Sequence, residues 1–201
     1  MTDLCLTLSR KEFLKKLEAQ VSSARFKHIL GVEEVSVCLA EREGYSVAAA
    51  RTAALLHDYA KEMPREKLYS FRAHPAYDPA WESQPSAFWH GPLAVLLAEL
   101  AWGLTDPEIK GAVWWHTLGT EKFTPLGKIL FVADFIEPSR NFPEVHAARE
   151  AARRSLDEAV GYKLKASLKF LLDQEKEIHP QTFKTYNAWF NKERNRNDRK
   201  K

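Results

Sequence analysis

Apolar residues recur at helical spacing along almost the whole chain. Ser9, Arg10, Lys11 and Glu12 form a capping-box pattern, and Phe13, Leu14, Leu17 and Val21 follow on one face. Ser46 is placed to cap a helix through Ala48, Thr52, Leu55 and Leu56 as far as Lys61, with Pro64 as the next boundary. Asp106-Pro107 and Thr124-Pro125 each pair an N-cap residue with a first-turn proline. They predict helices to about Thr117 and to about Pro138. Pro143 opens another, and Leu156 to Glu177 carries a long amphipathic pattern around Ala159, Leu164, Leu168 and Leu171. No stretch alternates as a half-buried strand does, so the predicted class is all-α. One segment breaks the rhythm. His74 to Pro92 holds four prolines with Trp81, Phe88 and Trp89 between them. It reads equally as a loop pinned by its aromatics and as a substrate lid.

Composition sets the frame for these helices. Hydrophobic residues make up 45% and charged residues 28% of 201, which supports a packed core and excludes disordered, collagen-like and disulfide-scaffold classes. The charge balance is 30 Lys+Arg against 27 Asp+Glu, a net +3. The segment from Asn191 to Lys201 alone carries +4, leaving −1 for the rest. The expected organisation is one domain over 1–190 and a basic, frayed tail over 191–201, with no nucleic-acid-binding body. Cys5 and Cys38 lie far apart, read as small core residues, and point to a reducing compartment. Neither a signal-peptide pattern nor an apolar run of membrane-spanning length is seen, so a cytoplasmic protein is expected.

The chemistry is concentrated in polar residues set inside apolar runs. His57 and Asp58 end the Ala-rich run Ala53-Ala54-Leu55-Leu56. A histidine and a carboxylate buried there need a partner, and a metal ion satisfies both. Lys61, on the same side of a continuing helix as Asp58, could reach an anion held at that metal. His28, His90, His116 and Asp134 occur in comparable settings. Each histidine alone reads as a satisfied core residue. Asp134, inside Ile129–Glu137, needs a polar or cationic neighbour. One shared metal centre accounts for all of these together. His74, His146 and His179 fall outside such settings; the first two read as solvent-facing and the third as a helix-start residue. Trp114 and Trp115 read as core.

The order His28, His57-Asp58, His90, His116, Asp134 resembles the HD-domain metallophosphohydrolases, an all-helical superfamily. The motifs RFKHILGV, LLHDYAK, HGP, HTLG and ADFIEPSRNFPEV resemble more narrowly its YqeK family, from about Phe26 to Asn187. HTLG differs from that family's usual HTTG at Leu118, and TYN at 185–187 is a weaker match. The resemblance implies a helical bundle with a metal centre between helices, and symmetrical cleavage of diadenosine tetraphosphate to two ADP. It implies His28, His57, Asp58 and Asp134 as ligands of a first metal, with iron favoured and manganese or zinc compatible with the donor set. His90 and His116 would hold a second metal or contact substrate phosphate. Asp58 and Lys61 would be catalytic, and Lys61, Thr117 and Arg140 would meet the phosphates. No Gly-rich phosphate loop is present, so metal and side chains must hold the polyanion.

Two other readings stand beside this one. The first is an HD-type phosphohydrolase of another nucleotide or a cyclic nucleotide, with the same metal site and a different pocket. The second is a nucleotide- or RNA-binding module without turnover, which a complete ligand set with Lys61 disfavours. The partners expected are a dinucleoside polyphosphate substrate and its ADP product. No membrane or nucleic-acid partner is expected, and a homodimer is left open.

Overall fold

The computed structural model describes residues 4–198, excepting the side chains of 193–198. Among them only helices and turns occur: α1 (Arg10–Gln20), α2 (Ser23–Arg42), α3 (Val47–Leu56), α4 (Ser86–Trp102), α5 (Pro107–Trp115), α6 (Pro125–Ile136), α7 (Val145–Arg154), α8 (Leu156–Asp173) and α9 (Pro180–Asp198), with short 3-10 turns at Arg65–Phe71 and Pro79–Glu82.

The caps read from sequence are formed. Ser9 and Glu12 close a reciprocal capping box. Ser46 and Thr124 accept from the third helical amide, and Asp106 accepts from Glu108 N and Ile109 N. The apolar faces they launch meet in one contiguous core running from Leu4 to Leu164, with Tyr186, Trp189 and Phe190 of α9 against it. α2 packs on α3 and α6, α5 on α4 and α6, and α8 on α6 and α7. α3 is buried at every residue from Thr52 to Leu56 and at Ala49 and Ala50. Its C-terminal half is buried all round, which is why the polar residues that follow fall inside the protein.

Several boundaries differ from the sequence expectation. α3 stops at Leu56 rather than Lys61, because the His57 ring donates from Nδ1 to the Ala54 carbonyl at 2.6 Å. That carbonyl would accept from Asp58 N in a continuing helix, and the chain instead turns through Tyr59 N to Leu56 O and Lys61 N to Asp58 O. The proline-rich segment is partly helical: Pro85 precedes α4 and Pro92 lies within it. The rest is pinned rather than free, with Trp81 and Trp89 buried and Arg72 bonded to both Glu82 oxygens. α8 ends at Asp173, short of Glu177, with Glu175 left-handed at φ 49°. α9 crosses the 190/191 boundary as continuous helix to Asp198, and residues 199–201 of the expected tail lie outside the described residues. Cys38 is exposed rather than core, and Trp114 and Trp115 are half-buried. His146 is exposed as expected, but His74 is half-buried.

Candidate metal centre

Five helices deliver the polar residues to one interior point. His28 lies in the second turn of α2, and His57 and Asp58 leave the end of α3. His90 lies in the second turn of α4, His116 caps α5, and Asp134 lies in the last turns of α6. His57 and His90 are wholly buried, and His28, Asp58 and His116 nearly so. Asp134 is the half-buried member.

Their donor atoms fall into two groups that share Asp58. In the first, Asp58 Oδ2 stands 3.8 Å from His28 Nε2 and 3.7 Å from His57 Nε2. Asp134 Oδ1 adjoins the same imidazoles at 3.3 and 4.0 Å. In the second, Asp58 Oδ1 stands 3.1 Å from His90 Nε2 and 3.6 Å from His116 Nε2.

The opposite ring nitrogens fix the tautomers. Nδ1 of His57, His90 and His116 bonds to the carbonyls of Ala54, Ser86 and Val113, and Nδ1 of His28 bonds to Glu137 Oε1 at 3.0 Å. Carbonyls and carboxylates only accept, so each Nδ1 carries a proton and each ring turns its Nε2 into the centre. Burial drives His57 down to about 4 and lowers His90 and His116 as well. Burial pushes the Asp58 carboxyl up, yet it lies well below the usual carboxylate range, with the Arg25 guanidinium against Oδ2. Neutral imidazole nitrogens and ionised carboxylate oxygens, facing one another in a buried space, are the donor set of a divalent transition metal. His28 Nε2 and His57 Nε2 lie 3.4 Å apart, close enough to share one cation. The residues present therefore fit a metal.

Two glycines make this approach possible. A Cβ on Gly91 would meet the Val113 carbonyl at 2.6 Å and the His116 ring at 3.2 Å. A Cβ on Gly31 would meet Glu137 Oε2 at 2.6 Å, so a side chain there would displace the carboxylate that orients His28.

The structure adds residues that sequence reasoning did not single out. Arg25 Nη1 donates to Asp58 Oδ2 at 2.5 Å. Lys163, buried on α8, donates to Asp134 Oδ2 at 3.1 Å and to the Phe131 carbonyl at 2.7 Å. Burial raises Asp134, but Lys163 and Arg140 bring it well below the ordinary range. Glu137 is held by Ser139 through its amide and hydroxyl, and Arg149 ties down the carbonyls of Ile136, Glu137 and Arg140. A signal for Arg25 existed: it lies one helical turn before His28, on the same face.

The expected phosphate-facing residues do surround the centre. Lys61 reaches His90, with Nζ 3.4 Å from Nε2, rather than pairing with Asp58 along a helix. Burial lowers its pKa against the pull of Asp58 and Asp134. The exposed Thr117 places its hydroxyl 3.1 Å from His116 Nε2 and 3.4 Å from His90 Nε2. Arg140 donates to Asp134 Oδ1 at 2.9 Å. A cavity of about 400 Å³ lies against His28, between Arg25 and Arg140. A larger one, about 490 Å³, is bounded by Trp81, Phe88, Trp114, Trp115 and His179. It belongs to other faces of α4 and α5: Phe88 and Trp114 each lie two residues from His90 and His116, on the opposite side of a helix. Chemistry, not size, selects the first.

Comparison with known proteins agrees with this arrangement. Residues 25–139 match the HD domain family. Over 180 residues the chain is 34% identical to the "Bis(5′-nucleosyl)-tetraphosphatase, symmetrical" of Bacillus subtilis (strain 168), covering 90% of this chain and 97% of that protein. The protein of the same name from Halalkalibacterium halodurans is 29% identical, with 90% and 96% covered. The crystal structure of a "predicted HD superfamily hydrolase involved in NAD metabolism" from Clostridium acetobutylicum superposes with a TM-score of 0.85 at 30% identity. It covers 92% of this chain and 99% of that one. The chain belongs to the HD-domain family and, within it, to the YqeK-like group that these relatives represent.

Proposed function

We propose that this protein hydrolyses bis(5′-nucleosyl) tetraphosphates, diadenosine tetraphosphate foremost, to two nucleoside diphosphates, using divalent metal. The observation that carries this is the buried convergence of four imidazole Nε2 atoms on the two oxygens of Asp58, in a chain whose relatives of that name match it over nearly their whole length. His28, His57, Asp58 and Asp134 would hold a first cation. Asp58 presents one oxygen to each histidine pair, which supports a second cation between His90, His116 and Asp58. The donor set suits iron, manganese and zinc alike, and family resemblance favours iron. A bound divalent cation supplies Lewis acidity toward phosphoryl oxygens and makes water a better nucleophile near neutral pH.

The chain's own side chains have separate tasks. Lys163 and Arg140 neutralise Asp134 and fix its orientation beside His28. Glu137 holds the His28 ring in one tautomer. Thr117 and Lys61, both beside His90, face the phosphate chain and offset charge on the phosphoryl oxygens. A lowered pKa makes the Lys61 ammonium a readier proton donor to the departing ADP oxygen. Symmetrical cleavage breaks the anhydride between the second and third phosphates. Water's oxygen goes to one ADP and the bridging oxygen stays with the other. Among the described residues no helix is long and apolar enough to cross a membrane. Turnover of a nucleotide panel by protein reconstituted with ferrous iron or manganese tests this reading. Cleavage confined to cyclic nucleotides, or binding without turnover, would replace it.

A further inference from the structure

The cavity of about 490 Å³ lies on the far faces of α4 and α5 from the metal centre, walled by the chain from Ala76 to Gln84. That volume is within the ~300–1,000 Å³ usual for ligand clefts. Its aromatic rings meet one another only tilted or edge-on. Trp81 and Trp114 lie 5.7 Å apart at 59°, Trp114 and Trp115 6.4 Å at 56°, and Phe88 and His179 4.8 Å at 64°. No ring in these pairs is stacked face to face on its neighbour, so the faces stay free for a further ring. Trp114 and Trp115 are only half-buried, unlike the sealed Trp89 next to the cavity.

Hydrogen bonding narrows what that ring must be. Among the described residues the indole N–H groups of Trp81, Trp114 and Trp115 have no partner within the protein, whereas that of Trp89 donates to the Gln84 carbonyl at 3.2 Å. Arg65 Nη2 holds the same carbonyl at 3.1 Å, so the Gln84 backbone is fixed while its side-chain amide is unused within the protein. His179 Nδ1 accepts from the Gln181 amide at 3.1 Å, which puts the ring proton on Nε2. Open π faces ringed by N–H donors suit a planar heteroaromatic rich in acceptor atoms. A glutamine amide pairs with both the exocyclic amine and the adjoining ring nitrogen of adenine. Lys110 on the cavity wall is already paired with Glu99 at 2.5 Å, and Asp78 adds a negative charge. That balance favours an uncharged nucleoside over a phosphorylated one.

We propose that this cavity is a second ligand site, apart from the metal centre, which binds an adenine nucleoside by stacking its base on the tryptophans and pairing it with Gln84. The inference goes beyond the function proposed above and does not depend on which nucleotide the metal centre cleaves.

The test is titration of full-length protein with adenosine, read by tryptophan fluorescence and by calorimetry, with and without chelator. Saturable binding of one adenosine per chain is expected, with quenched tryptophan emission and a Kd within twofold after metal is removed. Uridine should bind at least tenfold more weakly. Trp114→Leu is expected to weaken adenosine about tenfold or more through loss of a stacking face. Gln84→Ala, a change outside the core, should weaken it severalfold and leave the KM for diadenosine tetraphosphate within twofold of the parent. Absence of saturation at millimolar adenosine would overturn the site, as would uridine bound equally well. So would adenosine affinity within twofold of the parent in both variants. Binding that disappears with the metal, or a KM that rises in step with the adenosine Kd in Gln84→Ala, would place the base at the metal centre and overturn the separate site. Failure of the parent protein to cleave diadenosine tetraphosphate would instead remove the functional reading proposed above. The adenosine comparison would still decide this one.

Discussion

The Nε2 atoms of His90 and His116 stand 2.9 Å apart, while each ring bonds through Nδ1 to a backbone carbonyl. Neither neutral ring has a proton to offer the other. Thr117 and Lys61 are the donors within reach, and a cation shared with Asp58 relieves the contact fully. Removal of metal should therefore cost stability as well as activity. At a free metal concentration a thousandfold above Kd, the bound state gains about 4 kcal/mol. For a chain of this size that is a fall of roughly 8–16 °C in Tm on chelation. Calorimetry before and after chelator treatment, with metal added back, measures it; an unchanged Tm contradicts a metal-linked fold.

Acid should destabilise the metal-free protein before carboxylates titrate in bulk. His57 is held at about 4 in the folded state by burial, against ~6.5 for a free histidine. Between those values the unfolded chain binds a proton that the folded one excludes, so stability is full above about pH 6.5 and falls as pH drops toward 4. From His57 alone the loss between pH 7.5 and 5 is about 2 kcal/mol. His90 and His116 shift in the same direction. Urea midpoints at the two pH values should differ by about 1 M or more, lower at pH 5. A midpoint independent of pH would mean that these rings are not neutral in the fold.

Asp58→Ala and Lys61→Ala should fail differently. The first removes the oxygens common to both donor groups and should lose metal and turnover together. The second removes a charge beside His90 and should keep metal while kcat drops by roughly 100-fold or more, the size of one preorganised charge in a buried site. Metal analysis alongside steady-state rates separates them. Full activity in a metal-free Asp58→Ala protein would sink the metal mechanism.

Supporting residues should act on metal affinity at a distance. Glu137→Gln leaves the His28 ring with a neutral partner and should weaken metal about 10–100-fold with the fold intact. Gly91→Ala drives a methyl into the Val113 carbonyl and should cost about 1–3 kcal/mol of stability. Competitive chelator titration and thermal melts check the two effects. Parent-like metal affinity in Glu137→Gln would remove Glu137 from the account.

The helices were legible because their signals are local. Ser9 with Glu12, Asp106 with Pro107 and Thr124 with Pro125 announce their own caps, and the structure forms them. His28, His57, Asp58, His90 and His116 stood out as polar residues in apolar runs, and they come together inside the bundle. What stayed hidden depends on pairing across the chain. Lys163 sits beside Lys165 in an ordinary basic stretch, and its partner Asp134 is 29 residues away. Its position between the buried Val160 and Leu164 was the available clue. Lys61 lies off the expected helix because a side chain ends it: the His57 ring takes the Ala54 carbonyl and the backbone turns. Glu137 follows an apolar helix as any exposed end residue would, and only the space left by Gly31 shows where it goes.

Cleavage at the middle anhydride of the tetraphosphate leaves a product pattern that no other cut gives. The most direct measurement is chromatographic separation of the products of diadenosine tetraphosphate after a single time course with metal-loaded protein. ADP alone is expected, two molecules for each substrate consumed. ATP and AMP in equal amounts would contradict it.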